Sequence, residues 1–191
     1  MKLIFMKLIV ILCAALIFSS CSQSNNQSNF NGDFETKSFY NDTPADWYPT
    51  IIQRTKDFVV YGWDDKIKHS GDHSVSIKII QNHPEDKIAY NWMTSFKDFK
   101  INQKYTLTGW TKTENLKSTP FFYIQCLDEN NSITGFFTTE KSYHLVGTHD
   151  WSQVKLDFTI PDKTNEVLVR LGITAPENNG GQVWFDDIEI E

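Results

Sequence analysis

The sequence predicts an all-β fold: a single sandwich or jelly roll of roughly nine or ten short antiparallel strands. Three observations carry this reading. After residue 29 the helical period is almost absent, and apolar and polar residues alternate in short runs, as half-buried strands require. Gly, Pro, Asn and Asp separate the runs at turn-like intervals. Aromatic side chains make up 14% of the chain, six of them Trp, and aromatics favour pleated, half-buried surfaces.

The elements follow in order. A first strand is expected near 57–62, and 73–80 (HSVSIKII) places Val75, Ile77 and Ile79 on one face. Another is expected near 86–95, where Ile88, Tyr90 and Trp92 alternate with Ala89 and Asn91. In 104–112 (KYTLTGWTK), Tyr105, Leu107 and Gly109 oppose Thr106, Thr108 and Trp110. Strands near 121–127 and 133–139 come next, and 151–160 (WSQVKLDFTI) lines up Val154, Leu156, Phe158 and Ile160 before Pro161 stops it. Residues 166–175 alternate Val167, Val169, Leu171 and Ile173 against Leu168 and Arg170, and 182–190 (QVWFDDIEI) is the last strand.

The first twenty residues do not belong to this pattern. Lys2 and Lys7 precede an apolar run over 8–18 (LIVILCAALIF), which falls short of the roughly 20 residues a membrane-spanning helix needs. A basic start, a short apolar core and small residues before a cut site describe a signal peptide. The segment Phe18-Ser19-Ser20-Cys21 resembles the lipobox of bacterial lipoproteins, with Phe18 standing where Leu is usual. The resemblance implies a signal over 1–20 and an acylated Cys21. The sequence then predicts a polar tether over 21–28 and the domain over 29–191. The expected location is the bacterial cell envelope, lipid-anchored, at the outer membrane. An ordinary secretory signal with an incidental Cys is the plainer alternative.

Charge and cysteine content narrow the partners. Loss of Lys2 and Lys7 leaves 16 basic against 24 acidic side chains, a formal charge of −8. That argues against nucleic acid or anionic lipid as the main partner, since both are bound by basic patches. With Cys13 in the signal and Cys21 acylated, Cys126 stands alone and forms no internal disulfide.

Six segments, in register, resemble the jelly-roll carbohydrate-binding modules attached to bacterial glycoside hydrolases. They are 31–35 (NGDFE), like the first strand of those modules, 44–47 (PADW), 69–74 (HSGDHS), 105–115 (YTLTGWTKTEN), 147–151 (GTHDW) and 183–188 (VWFDDI). The resemblance spans 29–191 and implies a galactose-binding-like β-sandwich that binds glycan. It also implies a structural calcium held by Glu35 and Asp186, with carbonyls near Ser70 and Gly71. Two carboxylates with carbonyls and water suffice chemically for calcium. The alternative is that backbone amides satisfy both carboxylates. By alternation with Ile188 and Ile190, Asp186 points inward, unless a bulge shifts the register.

Candidate glycan contacts follow from the strand faces. Trp110 and Arg170 fall opposite their core neighbours, and Tyr123 and Gln125 alternate with Phe122, Ile124 and Cys126. Trp92 fits either core or platform. A flat aromatic face complements the C–H face of a sugar ring, and nearby Arg and Gln supply polar contacts; plain packing is the competing role for each of these residues. Gly71 makes His69 and His73 turn residues instead of a metal-binding helix face.

Catalysis leaves no motif: no G-x-S-x-G, no phosphate-binding glycine loop, no zinc spacing. The adjacent pairs Asp64-Asp65 and Asp186-Asp187 point to opposite faces of a strand and cannot flank one glycosidic bond, which leaves open only carboxylates brought together from distant strands. The expected function is therefore non-catalytic glycan binding at the envelope, beside glycan-degrading enzymes or transporters. A protein-interaction or adhesion module on the same fold is the alternative, and a small glycan-active enzyme ranks behind both.

Overall fold

The computed structural model describes residues 30–84 and 86–191. The signal segment, Cys21 and the polar stretch 22–28 lie outside the described residues. The elements are β1 (Tyr48–Pro49), a 3-10 turn (Gln53–Phe58), β2 (Val59–Asp64), β3 (Ser74–Ile79), β4 (Ile88–Phe96) and β5 (Lys104–Leu116). These are followed by β6 (Phe121–Leu127), β7 (Ile133–Thr138), β8 (Gly147–Thr159), β9 (Glu166–Ala175) and β10 (Gln182–Ile190). Two five-stranded antiparallel sheets result, one ordered β1-β4-β9-β6-β7 and the other β2-β3-β10-β5-β8. No helix among the described residues is long and apolar enough to cross a membrane.

The core lies where the alternating faces meet. Val167, Val169, Leu171, Ile173 and Ala175 of β9 are fully buried, as are Val75, Ile77 and Ile79 of β3 in the facing sheet. Trp92 belongs here. It is 1% exposed, its indole N–H donates across the sandwich to the Ser76 carbonyl at 3.0 Å, and Tyr61 meets it edge-on at 5.4 Å. The reading of Trp92 as a sugar platform is thereby corrected: a ring in the dry core has no free face. Cys126 is also on this inner side, buried and unpaired, and burial pushes its thiol up to about 11.

Two further expectations change. The 31–35 segment is a turn and not a strand: Phe34 adopts φ +57°, and its N–H donates back to Asn31. Strand β2 begins at Val59 because the preceding six residues wind into the 3-10 turn. In β10, Asp187 takes φ +47°, and the pairing with β5 jumps between Asp186 and Glu189. One extra residue in a strand resets which face its side chains occupy. So Val183 and Phe185 point inward before the bulge, and Ile188 and Ile190 do so after it. Asp186 is therefore not inward, as simple alternation predicts. It lies on the outer side, on the same face as its pairing partner Trp110, yet is 0% exposed because the 65–73 loop covers it.

Past the bulge the N-terminal segment packs against β10, with the Ile188 N–H donating to the Gly32 carbonyl at 2.8 Å. Opposite, Gly109 of β5 leaves room for Ile188 and for the Phe122 ring; a Cβ there would meet Ile188 Cδ1 and lie 2.8 Å from Phe122 Cε2. Gly109→Ala should therefore destabilise by about 1–3 kcal/mol, the usual range for overpacking. Chemical denaturation checks it, and an unchanged midpoint would show that this contact is slack.

Candidate functional site

The outer face of the β1-β4-β9-β6-β7 sheet brings three of the predicted residues together. Cross-strand register places Tyr48, Met93, Arg170, Tyr123 and Thr138 in one row across the five strands. The adjacent row on one side runs Ser95, Leu168, Gln125 and Phe136, and on the other Asn91, Gly172 and Phe121. Side chains at paired positions share a face, so Arg170 and Tyr123 are neighbours, with Gln125 beside them.

The rings are held rather than merely exposed. Phe121 lies over Gly172, where a Cβ would come 2.6 Å from its Cζ. Tyr123 stacks on Phe121 at 4.0 Å and 16°, and Phe136 meets Tyr123 edge-on at 4.9 Å. The Tyr123 hydroxyl donates to Glu140 at 2.7 Å. Burial first, then the Glu140 carboxylate, pushes this phenol well above its ordinary range. Phe136 and Tyr48 remain 51% and 63% exposed.

The polar groups here are underused by the protein. Arg170 Nη1 donates to Asn91 Oδ1 at 3.2 Å, and the same oxygen accepts the Thr50 hydroxyl. Arg170 Nε is buried with no partner among the described residues. Such a donor is costly unless something completes it. Burial lowers the Arg170 pKa, against the raising pull of Glu166. A row of rings beside a guanidinium and two amides can stack on a flat apolar ring and hydrogen-bond its hydroxyls. Asn91, Tyr48, Phe136 and Glu140 were not found from the sequence, because their neighbourhood depends on register across strands distant in the chain.

Trp110 is elsewhere. It lies on the outer face of the other sheet, half-buried, with the His69 imidazole stacked on it at 4.0 Å and 14° and Trp151 edge-on to His69. It points outward as expected but does not join Tyr123, Gln125 and Arg170. Its ring is the floor on which the 65–73 loop rests.

That loop is held by carboxylates. Asp186 Oδ2 accepts the amides of His69 and Ser70, at 2.7 and 3.2 Å, and Oδ1 accepts its neighbour's amide at 2.8 Å. Glu35 Oε1 accepts the amides of Asp72 and His73 at 2.8 and 2.9 Å. Asp64 accepts the amides of Lys66 and Ile67 and the Trp184 indole. Asp187 meets His69 Nδ1 at 2.6 Å and accepts the Ser70 hydroxyl. Glu35 and Asp186 thus grip the same turn, but with N–H donors where a calcium would need carbonyl oxygens. Among the described residues no group of three His, Cys, Asp or Glu side chains converges on a metal position. The residues present fit amide satisfaction and not a calcium.

Burial is the largest influence on both Glu35 and Asp64 and raises them, yet the amides, together with His73 at Glu35 and the Trp184 indole at Asp64, leave each below the usual carboxylate range. At Asp186 burial wins, and with Asp187 alongside it pushes the carboxyl up to about 6 despite the amides.

Chain comparisons place the fold. No family model matches the chain. The "tRNA nuclease WapA" of Bacillus subtilis (strain 168) is 29% identical over 104 residues, 54% of this chain and 4% of that protein. The "tRNA(Glu)-specific nuclease WapA" of Bacillus subtilis subsp. natto matches at 28% over the same length and shares. The match thus spans a small fraction of those proteins. Among solved structures, the CBM22-1 xylan-binding domain of Paenibacillus barcinonensis Xyn10C superposes with TM-score 0.52 at 13% identity, over 84% of this chain and 90% of that one. TmCBM61 in complex with β-1,4-galactotriose gives TM-score 0.53 at 14% identity, over 86% and 97%. The enzymatically active domain of bacteriophage CBA120 tailspike protein 4 gives 0.58 at 14%, over 86% and 21%. The chain has the β-sandwich fold of carbohydrate-binding modules.

Two outcomes follow for the carboxylate-held loop. Chelator should leave the melting curve unchanged, because amides already satisfy Glu35 and Asp186; a lower melting temperature in chelator would restore calcium to this turn. A carboxyl raised on folding stabilises below its unfolded pKa and loses that contribution as pH rises through the folded value. The wild type should therefore lose stability relative to Asp186→Asn as pH rises from about 4 to about 7, bracketing the ordinary and raised values. Thermal melts across that range check the sign, and the opposite slope would mean that the amides outweigh burial.

Proposed function

We propose that this domain is a non-catalytic glycan-binding module, held at the bacterial envelope by an acyl group on Cys21, with glycan on the outer face of the β1-β4-β9-β6-β7 sheet. The observation that carries the reading is the convergence of Tyr123, Gln125 and Arg170 in adjacent rows of one rigid face. The exposed rings of Tyr48 and Phe136 lie in the same rows, with the half-buried Arg170 guanidinium beside Tyr48's row partner Met93. Stacking supplies affinity there, and the guanidinium and amides select hydroxyl geometry. Structures of the same fold, named for xylan and for β-1,4-galactotriose, support a polysaccharide ligand. The nuclease likeness carries no activity here, since it spans 4% of those proteins and this chain has a net charge of −6. Glycoside hydrolysis needs two carboxylates flanking the bond; the two that border this face, Glu140 and Glu166, are engaged by the Tyr123 and Ser95 hydroxyls, which supports binding over catalysis.

The mature domain should bind at least one member of a panel containing xylan, β-1,4-galactan and bacterial envelope polysaccharides, releasing no sugar from it. Gln125→Ala and Tyr123→Ala should each weaken binding roughly thirtyfold, the equivalent of about 2 kcal/mol at a central contact. Trp110→Ala, on the other sheet, should leave affinity unchanged. Isothermal titration of the three variants reads this directly. If the wild type binds nothing on the panel, a protein-contact role for the same fold takes precedence.

A further inference from the structure

The segment 36–45 forms a small hairpin whose tip the glycan reading does not use. Its stem is closed by Ala45 N–H donating to Thr36 and Ser38 N–H donating to Thr43, both at 2.8 Å, with Lys37 and Pro44 bridged between them. The Ser38 hydroxyl donates to Asn41 Oδ1 and accepts the Tyr40 amide, which fixes the backbone of the turn. At the tip Phe39 and Tyr40 are 94% and 91% exposed, their rings edge-on at 5.4 Å. Two adjacent aromatic rings are thus presented to solvent on a rigid support.

The base of the hairpin is fastened where the chain enters the domain. Asn31 Oδ1 accepts the Thr36 amide, and Asn31 Nδ2 donates to the carbonyls of Thr36 and Ala45. Phe39 is three residues from Thr36, so the tip lies within about 11 Å of that clamp. Cys21 is ten residues before Asn31, so an acyl anchor there keeps the clamp within about 35 Å of the bilayer. Lys37 and Asp42 pair at 2.8 Å, leaving the hairpin with no net charge on an otherwise acidic chain. The hairpin itself therefore adds no repulsion at an anionic membrane surface.

We propose that the Phe39–Tyr40 tip docks in the interfacial layer of the membrane that holds Cys21, and so orients the domain; this inference rests on the acyl-anchor reading above. Aromatic side chains favour the boundary between headgroups and acyl chains. A protein partner fits less well. Two rings bury roughly 150–250 Å² each, short of the roughly 800 Å² per side of a specific interface.

The test uses the chain as matured and acylated in its bacterial host, reconstituted in phosphatidylethanolamine–phosphatidylglycerol vesicles and carrying an environment-sensitive bimane at Tyr40→Cys. The control carries the label at Ile133→Cys, an exposed site outside the hairpin. Flotation of the labelled chain, and its loss in Cys21→Ser, reads the anchor separately from the tip. In the floating chain the label at 40 should shift to the blue and be quenched by nitroxide-bearing lipids, while the label at 133 stays aqueous. A floating chain whose residue 40 remains fully open to aqueous iodide overturns the proposal and leaves the anchor standing. A chain that does not float overturns the anchor reading, and the proposal with it. A blue shift produced by soluble xylan and not by vesicles overturns the membrane in favour of a glycan contact at the tip.

Discussion

The bulge at Asp187 is the constraint on which the rest of the second sheet depends. Strand β10 is central there, between β3 and β5, and must present apolar residues to the core along its whole length. With strict alternation, Val183 and Phe185 would oppose Ile188 and Ile190. The extra residue at φ +47° lets all four point inward. The same step leaves Asp186 outward and enclosed, facing the amides of His69 and Ser70. It also frees the Ile188 amide to bind the N-terminal segment at Gly32, which brings Glu35 to the opposite side of the same turn. One irregular residue thus organises a loop, the 31–35 turn and the grips of Asp186 and Glu35 on that loop.

Hydrogen bonds of this kind explain how four acidic side chains gather around one loop with two imidazoles and Lys66 as nearby ionic partners. Glu35, Asp64, Asp186 and Asp187 are satisfied largely by N–H and O–H donors. Such charge-assisted hydrogen bonds are about twice as strong as neutral ones. The Trp110 and Trp63 rings support the loop from below through His69 and His73. The two outer faces of the sandwich therefore differ in kind. One is capped by its own loop, and the other leaves the Tyr48 and Phe136 rings open.

Much of this was legible in the sequence. Strict alternation in 166–175, 151–160 and 73–80 marks strands because a side chain every second residue must enter the same core. The outward placement of Tyr123, Gln125, Arg170 and Trp110 follows from the same rule. What it cannot supply is which outward residues share a face, since that depends on strand order. Trp110 was grouped with Arg170 although the thickness of the sandwich separates them. Trp92 sat on an alternating run that reads equally as core or platform, and only its cross-sheet bond to Ser76 decides it. The inward reading of Asp186 failed at a bulge, where one residue in αL reverses the parity. Asp tolerates αL, but nothing in the run FDDI marks which residue adopts it.

The shortest strand has a consequence for how copies of the chain behave together. Sheet edges with free N–H and C=O groups can recruit another chain and grow into aggregates. Here β1 closes one edge with only Tyr48 and Pro49, and proline has no amide hydrogen to offer an incoming strand. Confined to a surface, the molecules would collide far more often than in free solution. An edge this short and half-blocked makes those collisions unproductive, so the domain can be crowded without polymerising through that side.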